Sequence, residues 1–217
     1  MRHTPEEIAA RRARPPLELA DLGADPIAAF RAWYTAAAAA APAMPEAVTL
    51  ATATPTGVPS LRWVLLKDVD DAGGFSFFTS YEGRKGVELA ANPHAALAFF
   101  WEPLERQVRI EGTIARVSAA ESDAYWATRP RENRLAALTS QQSRPVADRA
   151  AMQAAYAASD ARWPGDTVPR PAHWGGFRLR ATAIEFWQGH AHRFHDRFRF
   201  ERTDAAPAAW TVARLWP

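Results

Sequence analysis

The 217 residues include no cysteine, which removes disulfides, thiolate metal ligands and cysteine nucleophiles together. No run approaches the ~20 apolar residues that a bilayer-crossing helix needs, and the start, MRHTPEEIAARRARPP, has no apolar signal core. Charge of one sign is missing as well. The 26 Lys and Arg face 24 Asp and Glu, a formal balance of +2, so no global field points to nucleic acid. A soluble cytoplasmic protein with no membrane or nucleic-acid partner is the expectation. Signatures of hydrolysis and of nucleotide cleavage are absent too: Gly-x-Ser-x-Gly, His-Glu-x-x-His and the Gly-x4-Gly-Lys loop do not occur.

What is present can build a sizeable core, since 48% of the residues are apolar and 11% aromatic. Residues 1–24 mix charge with Pro15 and Pro16 and read as a mobile arm. Residues 25–217 read as one domain. Its first helix opens at DPIAAFRAW, where Asp25 can cap, Pro26 suits the first helical position, and Ile27, Phe30 and Trp33 recur about three apart. The period then shortens. AVTLATAT, SLRWVLLKDV, GFSFFTS, HAALAFFW and RQVRIEGTIARV are short, rich in β-branched and aromatic residues, and separated by turn formers. Helices are expected at EGRKGVELAANP, AAESDAYWATRP and PVADRAAMQAAYAASDARWP. Strands are expected again at HWGGFRLRATAIEFWQG, RFHDRFRFERT and AWTVARLWP. The result is an α+β fold, mainly β, with a barrel-like antiparallel sheet and satellite helices.

Cations recur at points where chemistry could sit. RWVLLK sends Arg62 and Lys67 to opposite faces of a strand, either to serve two anions or as ordinary strand-end charges. TSYEGRKG runs from a strand into a helix, joining Thr79, Ser80, Arg84 and Lys85 to a helix N-terminus, an arrangement that suits a phosphate or stays a solvated loop. YWATRPREN spaces Tyr125, Arg129 and Asn133 by four, one face of a helix if that helix survives Pro130. Gln142 and Ser143 add neutral donors and acceptors. In WQGHAHRFHDRF, a metal bound by His190, His192 and His195 would sit beside Arg193 and Arg197. Strand alternation, moreover, sends the histidines to different faces and gathers Arg193, His195 and Arg197 on one, with Trp187 as a wall. No metal is expected. Several anion sites without a nucleophile leave the reactivity to a cofactor.

The stretches RWVLLKDVDDAGGFSFFTSYEGRK, WEPLERQVRIEG, YWATRPREN, QQS, HWGGFRL and IEFWQGHAHRFHDRF follow the order and spacing of the pyridoxine/pyridoxamine 5′-phosphate oxidases, and the chain resembles that family from about residue 25 to its end. The resemblance implies a split β-barrel, a homodimer, and one flavin mononucleotide (FMN) in each of two sites at the subunit interface. The implied activity is pyridoxal 5′-phosphate synthase. Pyridoxamine or pyridoxine 5′-phosphate is oxidised to pyridoxal 5′-phosphate, and dioxygen is reduced to hydrogen peroxide.

Carried over residue by residue, the resemblance assigns the flavin to Arg62, Val64, Leu65, Lys67, Phe78, Thr79, Arg84, Lys85, Gln107, Gln142, Ser143, Trp187 and Arg197. It assigns the substrate to Lys67, Tyr125, Arg129 and Asn133 around the phosphate, with Arg193 and His195 as the catalytic pair over the ring. The chain departs from the family pattern at Asn133, where serine is common, and at Ser80 and Gly83, where asparagine and serine are usual. Its arm has no tyrosine to close over substrate, only Arg11, Arg12 and Arg14. Two other functions fit parts of the pattern: a related FMN oxidase of another ring substrate such as a dihydrophenazine, and a non-catalytic flavin- or haem-binding split barrel.

Overall fold

The computed structural model describes residues 4, 6, 13–40, 43–203 and 209–217. Ahead of the sheet lie helices α1 (Leu19–Leu22) and α2 (Pro26–Ala39). Helix α2 starts as its sequence dictates: the Asp25 carboxylate accepts from Ile27 N–H at 2.8 Å, and Pro26 follows where no intrahelical N–H partner is needed. Its buried stripe of Ile27, Phe30, Trp33 and Ala37 packs into the barrel, with Phe30 edge-on to Phe75 at 5.0 Å.

Nine strands form one antiparallel sheet: β1 (Ala47–Ala53), β2 (Pro59–Leu65), β3 (Asp68–Val69), β4 (Gly74–Ser80), β5 (His94–Trp101), β6 (Arg106–Arg116), β7 (Trp174–Gln188), β8 (Asp196–Arg202) and β9 (Trp210–Arg214). The order is β2-β1-β5-β6-β7-β4-β3, and the ribbon β8-β9 pairs with β7. The expected strand SLRWVLLKDV is broken into β2 and β3, and Lys67 N–H donates to Ser76 O at 2.8 Å, so the β2 end of the sheet curls round to meet β4. This closes a split barrel.

Strand alternation sorts the two faces. The cross-strand row Leu50, Leu97, Ile110, Ile184 and Phe200 lies inside, each residue at most 1% exposed. Burying each such side chain is worth about 1.5–3 kcal/mol against its exposed state. The row Trp63, Thr49, Ala98, Arg109, Glu185 and Arg199 crosses the same strands on the outer face. Where β6 and β7 bend, the register shifts at Glu111/Gly112, and a Cβ on Gly112 would collide with the Arg180 carbonyl.

Helices α3 (Arg84–Ala91), α4 (Ala119–Thr128), α5 (Arg131–Thr139) and α6 (Arg149–Arg162) complete the fold. A capping box between Ser118 and Glu121 starts α4. Pro130 ends it: Arg129 is extended (ψ 142°), and a separate α5 begins at Arg131. Trp126, Leu135, Val168 and Trp174 form a second, smaller core beneath these helices. Among the described residues, no helix is long and apolar enough to cross a membrane.

Of the expected arm, residues 1–3, 5 and 7–12, with Arg11 and Arg12 among them, lie outside the described residues. From Arg14 onward the chain lies against the barrel, with Leu17 and Leu22 buried.

Candidate active site

A cleft of about 1110 Å³ opens between the β2 and β4 strands, helices α4 to α6 and the loop 140–146. Its walls include Val64, Leu65, Lys67, Phe78, Thr79 and Lys85, and, from the helical side, Tyr125, Arg129, Asn133, Gln142 and Ser143. Eleven of the residues expected at the site therefore share one cavity. Trp63, within the RWVLLK stretch, and Ser80 line it as well.

Among the described residues, two cleft cations that are withdrawn from solvent, Lys85 and Arg129, have no carboxylate partner. Lys85, only 9% exposed, donates to Thr79 Oγ1 at 3.0 Å and Gln142 Oε1 at 2.7 Å; among the described residues, its side-chain partners are neutral oxygens. Burial, helped by the positive charge of Arg62, pushes its pKa down to about 8. Arg129 lies 4.6 Å over the Trp174 ring, and its Nη1 is buried without a hydrogen-bond partner. The same burial lowers its pKa, but the guanidinium stays protonated at any physiological pH. Tyr125 stacks on Phe78 at 3.9 Å; burial raises its pKa, with Arg129 opposing, which keeps the hydroxyl a neutral donor.

Helix α3 brings Lys85 to this point. Gly83, its N-cap, has an ordinary φ of −69°, so the turn does not need glycine's conformational freedom. What its missing side chain leaves is space: a Cβ there would meet the Gln142 side-chain oxygen that receives Lys85, and that flexible amide would have to shift. Arg84 N–H donates to Ser143 Oγ at 3.1 Å, which ties the loop 140–146 to the same helix end.

Arg62 and Arg84 lie beside the cleft and do not line it. Both guanidinium groups bind the buried Glu88, Arg62 at 3.2 Å and Arg84 at 2.8 Å, and Thr52 and Ser60 donate to the same carboxylate. Burial alone would raise Glu88, but those four hydrogen bonds outweigh it and hold its pKa at about 2. Glu88 is a residue the sequence reading missed; its signal was the i,i+4 spacing from Arg84.

The remaining expected residues form a second group. Gln107, Trp187 and Arg197 are cross-strand neighbours on β6, β7 and β8. Arg197 is engaged by buried Glu185 at 2.9 Å and by the Trp216 carbonyl at 2.9 Å. His195 packs on Trp187 with ring centroids 4.6 Å apart, and its Nδ1 accepts from His190 N–H at 3.1 Å, which leaves the neutral ring's proton on Nε2. Arg193 is exposed, with no ion pair or hydrogen bond among the described residues.

The expected alternation over 193–197 does not occur. A short 3-10 turn at Ala191–Arg193 precedes β8, and His192 and Arg193 take the left-handed region at φ 58° and 61°, each at a cost of about 1–3 kcal/mol for a non-glycine residue. Among the described residues, no three His, Cys, Asp or Glu are grouped to hold a metal ion.

The two groups sit apart within one chain. Along the outer row, Trp63 at the cleft is five strand spacings from Arg199 and four from the Glu185 that holds Arg197, or roughly 20 Å along the curved sheet at ~4.8 Å per strand.

Fold and cleft together define a split barrel with a cleft that carries cations on two of its walls. Residues 34–161 match the family described as pyridoxamine 5′-phosphate oxidase, and residues 174–217 match the pyridoxine 5′-phosphate oxidase C-terminal dimerisation region. The chain belongs to the pyridoxine/pyridoxamine 5′-phosphate oxidase family. It is 49% identical over 211 residues to the pyridoxine/pyridoxamine 5′-phosphate oxidase of Ralstonia pickettii (strain 12J), covering 97% of this chain and 98% of that one. With the Gluconobacter oxydans (strain 621H) protein of the same name it shares 50% over 201 residues, or 93% and 98% of the two chains. Among solved structures, PhzG from Burkholderia lata 383, in complex with tetrahydrophenazine-1-carboxylic acid, superposes with a TM-score of 0.87. It is 31% identical, with 95% of this chain and 100% of that chain covered. A pyridoxamine 5′-phosphate oxidase-related, FMN binding protein of Nostoc punctiforme PCC 73102 shares the fold at a TM-score of 0.69 and 17% identity, covering 87% and 97%.

Proposed function

We propose that the protein is an FMN-dependent oxidase that converts pyridoxine 5′-phosphate, or pyridoxamine 5′-phosphate with uptake of water and release of ammonia, to pyridoxal 5′-phosphate, reducing dioxygen to hydrogen peroxide. One observation carries the reading: among the described residues, two cations on different walls of a single cleft, buried Lys85 and half-buried Arg129 with its buried Nη1, have no carboxylate partner. A buried unpaired cation is costly unless a ligand completes it. Two such cations suit two phosphorylated ligands.

Lys85, the α3 N-terminus and Ser143 would take the flavin phosphate, while Arg129, Lys67, Tyr125 and Asn133 would take that of the substrate. Bound FMN supplies a two-electron acceptor for the substrate C4′ carbon. The protein's part is to hold that carbon in place and to exclude water, which needs no side-chain nucleophile. Arg193 and His195 would lie over the substrate ring, supplied by the partner subunit, because in one chain they stand at the far end of the outer face. The exposed side chains on that face, Leu61, Trp63, Leu65 and Phe100, support a twofold pairing that brings each cleft against the other chain's Trp187, Arg193 and His195. The lack of cysteine suits a reducing compartment such as the cytoplasm.

The test is anaerobic addition of pyridoxamine 5′-phosphate to the purified yellow protein. Bleaching of the yellow flavin colour is expected, and air should restore it; a flavin that stays oxidised would refute the reading. The likeness to PhzG makes a tetrahydrophenazine carboxylate the competing substrate, and bleaching by that compound alone would favour it.

A further inference from the structure

We propose that Arg14 and Asp196 are positioning residues for the reaction, clamping the segment Arg14–Leu17 onto the turn that carries Arg193 and His195. The inference rests on the reading of those two side chains as substrate-facing.

The turn needs outside support. His192 and Arg193 both occupy left-handed backbone, which is uncommon for a non-glycine residue and least suited to Arg193, and two such residues in succession persist where neighbours hold them. The contacts that do so come from residues remote in sequence and fall on both flanks. Before the turn, Arg14 Nη1 donates to the Gly189 carbonyl at 2.9 Å and to Glu105 Oε2 at 2.9 Å. The Arg14 carbonyl meets His190 Nε2 at 3.1 Å, and Gln188 Nε2 donates to the Pro15 carbonyl at 3.3 Å. His190 in turn donates through its backbone to His195 Nδ1, so the Arg14 contact is one residue removed from the catalytic ring. After the turn, buried Asp196 accepts from Leu17 N–H at 2.9 Å through one oxygen and from Arg214 Nη1 at 2.8 Å through the other. Arg214 also donates to the Leu17 carbonyl at 3.0 Å and to Glu18 at 2.7 Å. Leu17 itself is 3% exposed.

This geometry differs from a cover over substrate. Arg14 spends its donors on Gly189 and Glu105, and the described segment acts on the back of the turn. Ala191 to His195 is therefore fixed at both ends by one strap, which carries the exposed Arg193 and the half-buried His195.

The experiment uses the full-length, flavin-loaded enzyme. With Arg14→Ala, kcat/KM for pyridoxamine 5′-phosphate should fall about tenfold, the scale of a small displacement of a reacting group, while FMN content and melting temperature stay at wild-type values. Arg14→Lys, which keeps a cation able to reach both acceptors, should restore most of the loss. Asp196→Asn should lower kcat/KM in the same direction. Wild-type kcat and KM in Arg14→Ala would overturn the proposal. So would a fall in FMN content or melting temperature that tracks the loss of activity, since that marks a general structural role. If pyridoxamine 5′-phosphate fails to bleach even the wild-type enzyme, the functional reading falls and takes this inference with it; a wild type that bleaches beside an unimpaired Arg14→Ala removes the inference alone.

Discussion

Lys85, held by Thr79 and Gln142 inside the cleft, carries the proposal at the scale of one side chain. A lysine pKa lowered to about 8 from 10.5 means that in the flavin-free protein the charged form is disfavoured relative to the unfolded chain. The unfolded state therefore binds more protons between those values, and this group makes flavin-free stability rise as pH climbs from about 8 towards 10.5. Binding of a phosphate has the opposite requirement, because it needs the ammonium. FMN affinity should thus hold near neutrality and weaken as pH passes about 8, and Lys85→Met should lose that alkaline limb together with ten- to a hundredfold in affinity, about 1.5–3 kcal/mol for a charge-assisted hydrogen bond. Flavin fluorescence titrations across that range check it; a pH-independent affinity in the wild type would place the phosphate elsewhere. The residue types at this site were readable from the sequence, since a strand, a glycine and an Arg-Lys pair before a helix mark an anion site. Their partners were not. Glu88 and Glu185 are buried carboxylates that claim Arg62, Arg84 and Arg197, and such pairings depend on which strands become neighbours, which no local pattern records.

At the level of the element, period and punctuation located most of the helices and strands. Pro130 stopped α4, and Tyr125, Arg129 and Asn133 still reach one cleft although two helices carry them. The ribbon was misread at its start for a specific reason: two successive non-glycine residues at positive φ are not announced by a local pattern, and the contacts flanking the bend, Arg14 to Gly189 and Leu17 to Asp196, join segments far apart in the chain. Gly83 teaches the converse. Its type suggested a permissive turn, whereas the structure uses its missing side chain to seat Gln142 against Lys85. Gly83→Ala should therefore displace Gln142 and weaken FMN binding about tenfold, with melting temperature within a few degrees of wild type, an effect of about 1–2 kcal/mol typical of overpacking at a tight contact. Equilibrium dialysis and thermal denaturation of the same sample measure both quantities, and undiminished flavin affinity would show that Gln142 tolerates the methyl group.

For the molecule as a whole, the outer face of the sheet is the decisive surface. Trp63 stands on it at the rim of the cleft, 63% exposed in the isolated chain. Trp63→Glu should bury a charge in the subunit contact, shift the protein towards monomer in light-scattering chromatography, and lower bound FMN in proportion. A monomer that kept its full flavin content would show that one chain builds the whole site. The same separation of Lys85 from Arg193 has a genetic corollary. Two inactive variants, one altered at each position, should rescue each other when their chains are allowed to exchange. In a mixed pair, one pocket collects both lesions and the other collects neither, so random assortment would restore about a quarter of normal turnover.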